Sequence, residues 1–294
     1  MRLGTRASAL ALAQAEAVAD ALRAAGVQAE IVPITTLGDR GAAVEDKSRW
    51  VSELEHALRE GRIDLAVHSA KDVPTELEPG LELVAVPPRA DPRDALCGPA
   101  GLHALVPGAR VGTASLRRTA QIRAARPDLE VVELRGNVDT RLRKLADGQV
   151  DALVLALAGL QRLGREAEAT ATVDEFVPAA GQGALALEGR AGEIDPSVLT
   201  AVSDAESMIS LTAERTLVHA LGASCHTPVG ASAVRLDDGR LEVTAWVGLP
   251  DGSAWLRDSV TGDPALVGAE CAQRMLAAGA RELLDEAEGR TVGG

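Results

Sequence analysis

The chain has 294 residues, 46% hydrophobic and 25% charged, with a formal net charge of −13. Such a length exceeds what one small core fills, so two or three domains are expected. An acidic chain repels nucleic acid and anionic membranes, and Trp50, Trp246, Trp255 and Phe176 are too few aromatics to stack bases, so neither partner is expected.

Three cysteines, Cys97, Cys225 and Cys271, argue against a disulfide framework and for a reducing compartment. The Ala-rich stretch Ala7–Ala25 is interrupted by Glu16, Asp20 and Arg23 and places Leu12, Ala15, Val18, Ala19 and Leu22 at helical spacing, so it reads as an amphipathic helix and not a signal peptide. No uncharged apolar run is long enough to span a bilayer. A cytoplasmic protein is expected.

A strand at Arg2–Gly4 leads into a helix from Ser8 to Gly26. Strand Glu30–Thr36, a helix marked by Val51, Leu54 and Leu58, and strands Ile63–Val67 and Leu81–Val86 follow. Pro87–Pro92 reads as a crossing between domains. A second series runs strand Arg110–Thr113, helix Ser115–Ala125, strand Leu129–Leu134, helix Val138–Asp147 and strand Asp151–Ala156. Val177–Gly183 reads as a return crossing, after which Ala184–Glu188 adds a strand to the first domain. Two α/β lobes joined by two crossings imply a hinged cleft. The last third differs: a long, broken helical stretch Ser197–Leu221, strands Val229–Arg235, Leu241–Gly248 and Ser253–Val260, and a final helix Ala265–Ala287 suggest a small α+β domain. No internal repeat is visible.

Charge is unevenly placed. Residues 110–165 carry 11 Lys and Arg against 6 Asp and Glu, about +5, which leaves about −18 elsewhere. Arg117 and Arg118 open a helix, Arg135 ends a strand, and Arg141 and Arg162 lie in loops or first turns. They suit small carboxylate ligands or form a solvated charged face. His68-Ser-Ala-Lys-Asp-Val-Pro74 follows a buried strand. Asp72 there is either an acid/base or a turn former before Pro74, and His68 either a packed side chain or a catalyst. Cys225 sits in a loop rich in Gly, Ala and Pro beside His226, either an accessible thiol or an incidental one. Cys271 belongs to a helix core face, and Cys97 is expected to be buried. No zinc-ligand spacing, Walker motif or dinucleotide fingerprint is present, so no metal is expected.

The ordered set Gly4-Thr-Arg-Ala-Ser8, His68–Pro74, Asp91-Pro-Arg-Asp94, Gly112-Thr-Ala-Ser-Leu-Arg-Arg118, Leu134-Arg-Gly-Asn137, Leu157–Gly164 and Gly181-Gln-Gly-Ala184 resembles the porphobilinogen deaminase family over nearly the whole chain. The resemblance implies an α/β fold of two periplasmic-binding-protein-like (type II) lobes plus a small α+β C-terminal domain. The boundaries expected are 1–87 with 182–200, 92–178, and 204–294. It implies a transferase of tetrapyrrole (haem) biosynthesis, a hydroxymethylbilane synthase that condenses four porphobilinogen molecules on a dipyrromethane cofactor. By that similarity Cys225 anchors the cofactor through a thioether and Asp72 is the catalytic carboxylate. Arg6, Ser8, Lys47, Lys71, Arg117, Arg118, Arg135, Arg141 and Arg162 match residues that bind acetate and propionate groups, with Thr113, Ser115 and Gln182 assisting.

The sequence departs from the family pattern at Lys47-Ser-Arg-Trp50, where Lys-Gly-Leu-Phe is usual, in the loop Gly38–Asp46, at Ala114, and at Ala223, Ser224 and His226. These departures bear on lid motion and rate. The implied protein is a monomer. Two rivals are a non-catalytic solute-binding module of the same two-lobed fold and a divergent relative that binds pyrroles without turnover. The C-terminal domain and the combination of Cys225 with Asp72 weigh against the solute-binding module.

Overall fold

The computed structural model describes residues 1–35, 48–99, 101–223 and 227–292, without the side chains of 48–50 and 290–292. In chain order the elements are β1 (Arg2–Arg6), α1 (Ala9–Ala24), β2 (Glu30–Ile34), α2 (Ser48–Arg59), β3 (Leu65–Ser69), β4 (Leu81–Ala85), β5 (Asp94–Cys97) and β6 (Arg110–Thr113). Next come α3 (Leu116–Ala125), β7 (Glu130–Glu133), α4 (Val138–Ala146), β8 (Ala152–Ala156), α5 (Leu157–Arg162), β9 (Ala171–Val173) and β10 (Leu185–Arg190). The chain closes with α6 (Pro196–Thr200), α7 (Ala205–Leu221), β11 (Val229–Arg235), β12 (Leu241–Gly248), β13 (Trp255–Gly262), α8 (Val267–Ala277) and α9 (Ala280–Val292). Among the described residues no helix is long and apolar enough to cross a membrane.

The chain divides into two units, Met1–Ala90 with Gly181–Ile209, and Asp91–Ala180 with Ser210–Gly294. In the first, a five-stranded sheet has the order β2-β1-β3-β10-β4. β1 runs parallel to β2 and β3, and the returning β10 lies antiparallel between β3 and β4. Period-two alternation along β3 feeds two layers: Leu65 and Val67 join Ala15, Val18 and Leu22 of α1, whereas Ala66 joins Leu54 and Leu58 of α2. Each fully buried leucine contributes roughly 1.5–3 kcal/mol, which lets a core almost free of aromatics hold the sheet.

The second unit contains a five-stranded sheet of order β7-β6-β8-β5-β9. β6 is parallel to β7 and β8, and β5 is antiparallel to β8 and β9. Strand for strand this repeats the first sheet, with β6 in the place of β1 and β5 in the place of β10. The repeat lies in topology and had no visible counterpart in the sequence. The same unit holds the antiparallel sheet β11-β12-β13, whose inner face packs on α8 and α9. Gly239 (φ +85°) and Gly252 (φ +73°) make its two turns. Within this unit Trp246 packs with Ala120 and Val177, the Ala231 N–H donates to the Pro178 carbonyl at 2.8 Å, and Arg123 donates to the Pro250 carbonyl at 3.0 Å.

Two lobes of one topology plus a small α+β region is the fold class expected. Some elements differ from expectation. β5 lies directly after the Pro-rich stretch and is buried along its whole length, so it shows no alternation, and β9 has only three residues. The helical stretch before Leu221 breaks into α6 and α7 where Asp204 caps α7, its carboxylate accepting the Ser207 N–H at 2.8 Å. The final helix breaks at Gly279, whose φ of +100° ends α8.

Candidate functional site

In the first unit, the motif Gly4–Ser8 builds the turn from β1 into α1. A Cβ on Gly4 would run into the Ile63 side chain. The Thr5 hydroxyl, fully buried, donates to the Ala11 carbonyl at 3.1 Å. Ser8 is the N-cap of α1, its hydroxyl accepting the Ala11 N–H at 3.3 Å. That geometry leaves Arg6 at the end of β1, beside the end of β3.

There a recess of about 30 Å³ is lined by Arg6, Gln14, Val67, His68, Ser69 and Asp72 among others. Asp72 ends a 3-10 turn, Ala70–Asp72, fixed where the Ala70 N–H donates to the Ala184 carbonyl at 3.0 Å. The Asp72 carboxylate, half-buried, has no hydrogen-bond or ion-pair partner among the described residues. Lys71 shares the turn. Gln14 Nε2 donates to the Ser69 hydroxyl at 3.0 Å. Behind the recess, His68 Nε2 lies 2.9 Å from Glu188 Oε2, with both side chains buried. Burial, followed by the Glu188 charge, pushes Glu55 above the usual carboxylate range.

In the second unit, Gly112–Arg118 builds the equivalent turn from β6 into α3. A Cβ on Gly112 would lie 2.7 Å from Leu153 Cδ2. The Thr113 hydroxyl accepts the Ser115 N–H at 3.2 Å, and Ser115 is the N-cap of α3. Arg117 and Arg118 are buried and both bind Asp94 of β5: Arg117 Nη2 to Oδ2 at 2.8 Å and Arg118 Nη2 to Oδ1 at 2.8 Å. Arg117 also donates to the Val177 carbonyl at 2.8 Å and Arg118 to the Val154 carbonyl at 3.1 Å. Burial holds Arg117 below its ordinary pKa, with Asp94 opposing the shift.

Asn137 caps α4, accepting the Thr140 N–H at 2.8 Å, and Gly136 (φ +124°) supplies the preceding turn. Arg141, in the first turn of α4, has a largely buried guanidinium. Desolvation and then the like charge of Arg118 push it down to about 10, and no described residue pairs with it. Burial likewise pushes Arg162, at the end of α5, down to about 10. Arg135 lies past the end of β7, exposed and paired with Glu133. Gln182 is buried in the first unit, its carbonyl accepting from Arg89 Nε at 2.9 Å.

Of the expected site residues, the structure gathers Arg6 and Asp72 in one recess, with Lys71 on the same turn and Ser8 capping the adjoining helix. Arg117, Arg118 and Arg141 are gathered in the second unit. Lys47 and Cys225 lie outside the described residues, as do the loop Gly38–Asp46, Ser224 and His226, and the side chains of Ser48, Arg49 and Trp50. Gln14 and Glu188 went unnoticed in the sequence: each stands in the apolar pattern of a buried element, and a polar residue at a core position was the available signal. The same signal marks Asp94 as a core acid.

Two family models match the chain, "Porphobilinogen deaminase, dipyromethane cofactor binding domain" over residues 1–196 and "Porphobilinogen deaminase, C-terminal domain" over residues 208–277. Similar proteins include the porphobilinogen deaminases of Roseiflexus castenholzii and Deinococcus deserti. Each is 46% identical, with 97% of this chain and 98% of the relative covered. Among solved structures, the methionine binding protein MetQ is 15% identical over 71% of this chain and 91% of its own, with a TM-score of 0.45. Immunogenic lipoprotein A from Vibrio vulnificus is 15% identical over 71% and 96%, with a TM-score of 0.42.

Proposed function

The chain belongs to the porphobilinogen deaminase family, and on that premise we propose how its residues divide the work of the reaction. The activity is that of a hydroxymethylbilane synthase, a transferase that joins four porphobilinogen molecules head to tail and releases ammonia and the linear tetrapyrrole. The cofactor is dipyrromethane, and when bound it supplies the nucleophilic ring carbon on which the chain grows.

The residues fit such a group. Each pyrrole carries an acetate and a propionate, and Arg141 is a largely buried cation with no carboxylate partner among the described residues. A buried guanidinium held below its ordinary pKa by desolvation is stabilised by an incoming carboxylate. That unmatched charge is the observation that carries the reading. Arg6, Ser8, Lys47 and Lys71 of the first unit, and Thr113, Ser115, Arg117, Arg118, Arg135 and Arg162 of the second, bind or orient further carboxylates; Gln182 assists. Arg117 and Arg118 do so while committed to Asp94, so their main contribution is a fixed positive potential.

Asp72 carries the chemistry. Loss of ammonia leaves a cation on porphobilinogen. As the acid, Asp72 gives a proton to the departing amine; the carboxylate so formed offsets the cation and takes the proton from the ring carbon after the new bond forms, which restores the acid. Cys225 carries the cofactor thioether. The other two thiols are buried, and burial holds each near 11, so neither is a nucleophile at neutral pH. The catalytic unit is a cytoplasmic monomer of three domains, 1–87 with 182–200, 92–178 and 204–294. Its strongly acidic charge keeps it from nucleic acid and anionic membrane.

Intact mass tests this reading. Native protein should exceed its sequence mass by two condensed pyrrole units, with the adduct on the Cys225 peptide. Cys225→Ser should remove both adduct and activity, whereas Cys97→Ser and Cys271→Ser should keep both. An unmodified, fully active chain would refute the primer role.

A further inference from the structure

Gln121 of α3 is buried, and its amide serves both backbone groups of Val177, the residue that opens the return crossing. The Val177 N–H donates to Gln121 Oε1 at 2.8 Å, and Gln121 Nε2 donates to the Val177 carbonyl at 3.0 Å. Arg117, one turn earlier on α3, gives Nη1 to the same carbonyl at 2.8 Å while its Nη2 holds Asp94 at 2.8 Å. Helix α3 therefore grips this segment as a neighbouring strand would, and one guanidinium joins that grip to the buried ion cluster of the second lobe.

The small antiparallel sheet meets the same segment. The Ala231 N–H of β11 donates to the Pro178 carbonyl at 2.8 Å. At the preceding residue, a Cβ on Gly230 would lie 2.6 Å from the Val177 carbonyl oxygen and 2.9 Å from the Val177 Cβ, so only glycine allows this approach. Gly230 is in register with Trp246 of β12, and Gly248 lies two residues further along the same face. The Trp246 ring takes the space a side chain at Gly248 would fill and packs on Ala120 and Val177. Both glycines thus clear the face of the sheet that receives the crossing.

We propose that Gln121 and Gly230 are positioning residues of the reaction: they seat β11 on Val177 and Pro178, and so set where the cofactor is held relative to Arg117, Arg118 and Arg141. This rests on the reading of Cys225 as the anchor. Val229 is four positions after Cys225, and four residues of extended chain span at most about 14 Å, so the seat of β11 limits where the primer stands. The Val177 carbonyl is the shared element. A side chain added at Gly230 pushes that oxygen away from Arg117, and loss of the Gln121 amide removes two of the bonds that hold Val177 in place. Neither residue touches the reacting atoms; each acts through Arg117 and β11. A small misplacement of a reacting group costs much in rate. A dock that served stability alone would use the same bonds, and breaking it would lower Tm without changing how the pyrrole chain grows.

The test uses holoenzymes, each first shown by intact mass to carry its cofactor, given limiting porphobilinogen and quenched. Each addition raises the bound mass by one porphobilinogen less one ammonia, so the spectrum reads how many units each chain has gained. Gln121→Ala and Gly230→Ala should load the cofactor, lower kcat on the order of ten- to a hundredfold, and shift the population of one- to four-unit chains away from the wild-type pattern at equal porphobilinogen consumption. Met275→Ala removes a buried side chain of α8, which packs on the opposite face of the same sheet, and should lower Tm with the wild-type pattern kept. A wild-type pattern in either Gln121→Ala or Gly230→Ala overturns the proposal. A changed pattern in Met275→Ala also overturns it, because lost stability then suffices. Should either variant fail to fold, amide hydrogen exchange of the wild-type holoenzyme decides: protection at Val177 and Ala231 that persists during extension supports the seat, and protection lost on adding porphobilinogen overturns it. Wild-type holoenzyme with no adduct on Cys225 fails the anchor reading; an adduct there, with wild-type extension in the variants, fails only the positioning.

Discussion

Arg118 grips one oxygen of Asp94 with two donors, Nε at 2.9 Å and Nη2 at 2.8 Å from Oδ1, while Arg117 takes Oδ2 at 2.8 Å. Asp94 is 1% exposed and both arginines are 5% exposed, so two cations share one anion away from water. Asp94 stands on β5, and the strand in that place in the first sheet, β10, carries Glu188 against His68. Each lobe thus buries an acid on the antiparallel strand that holds the fourth place in its sheet.

Removing the anion of the triad leaves two buried arginines facing each other. Asp94→Asn should therefore destabilise the protein by about 3–5 kcal/mol, the cost of an uncompensated buried charge. Equilibrium denaturant unfolding of wild type and variant measures it. A loss below about 1 kcal/mol, as for a solvent-screened surface pair, would mean the triad is not a buried ion cluster.

Arg141 makes the opposite prediction. Its folded pKa, about 10, lies below the ordinary value of an arginine in the unfolded chain, so the folded state disfavours its charged form. The unfolded chain binds the extra proton between those values, so stability rises with pH there, and the full penalty is present below pH 10. Arg141→Met should relieve that penalty, raising the stability of the cofactor-free chain by on the order of 1–3 kcal/mol, while impairing cofactor assembly. Thermal melts of the two cofactor-free proteins, paired with the intact-mass assay, read both effects. A variant that is less stable and still loads its cofactor would show that Arg141 is a structural cation.

Most of the fold was legible because the cores use regular periods: Ala15, Val18 and Leu22 on α1, or the Leu65–Ala66–Val67 alternation on β3. β5 and β9 were not, because β5 opens on an acid, is buried along its whole length and follows a run of prolines, and β9 has three residues. Parts of the motifs were legible as chemistry and turned out to be local architecture as well. Ser8, Ser115 and Asn137 are helix caps, and Thr113 closes its own turn. Arg117 and Arg118 read as ligand binders from their place at a helix start, but nothing in the local sequence links them to an acid some twenty residues upstream. The same limit hid Glu188, whose contact with His68 is set by the register of a strand that returns after the whole second lobe.

The placement of Asp72 supports the most direct prediction. Its carboxylate ends a turn tied to Ala184, lines a small recess, and has no ion-pair partner among the described residues. An acid kept for structure is normally paired; one left unpaired beside a recess is available to a ligand. The fold around it does not depend on its charge, so Asp72→Asn should keep near-native stability and still bind porphobilinogen. Turnover should fall on the order of 10²–10⁴-fold or more, because an amide neither exchanges the proton nor offsets the developing cation. Asp72→Glu keeps the charge with displaced geometry and should retain a small fraction of the activity. Lys71→Met should raise KM more than it lowers kcat, since Lys71 makes no ion pair with Asp72 and its proposed role is to hold substrate carboxylates. Single-turnover ammonia release from each variant, with its cofactor assembled beforehand, separates chemistry from assembly. Ammonia release at the wild-type rate by Asp72→Asn would move the search for the catalytic acid to another carboxyl group.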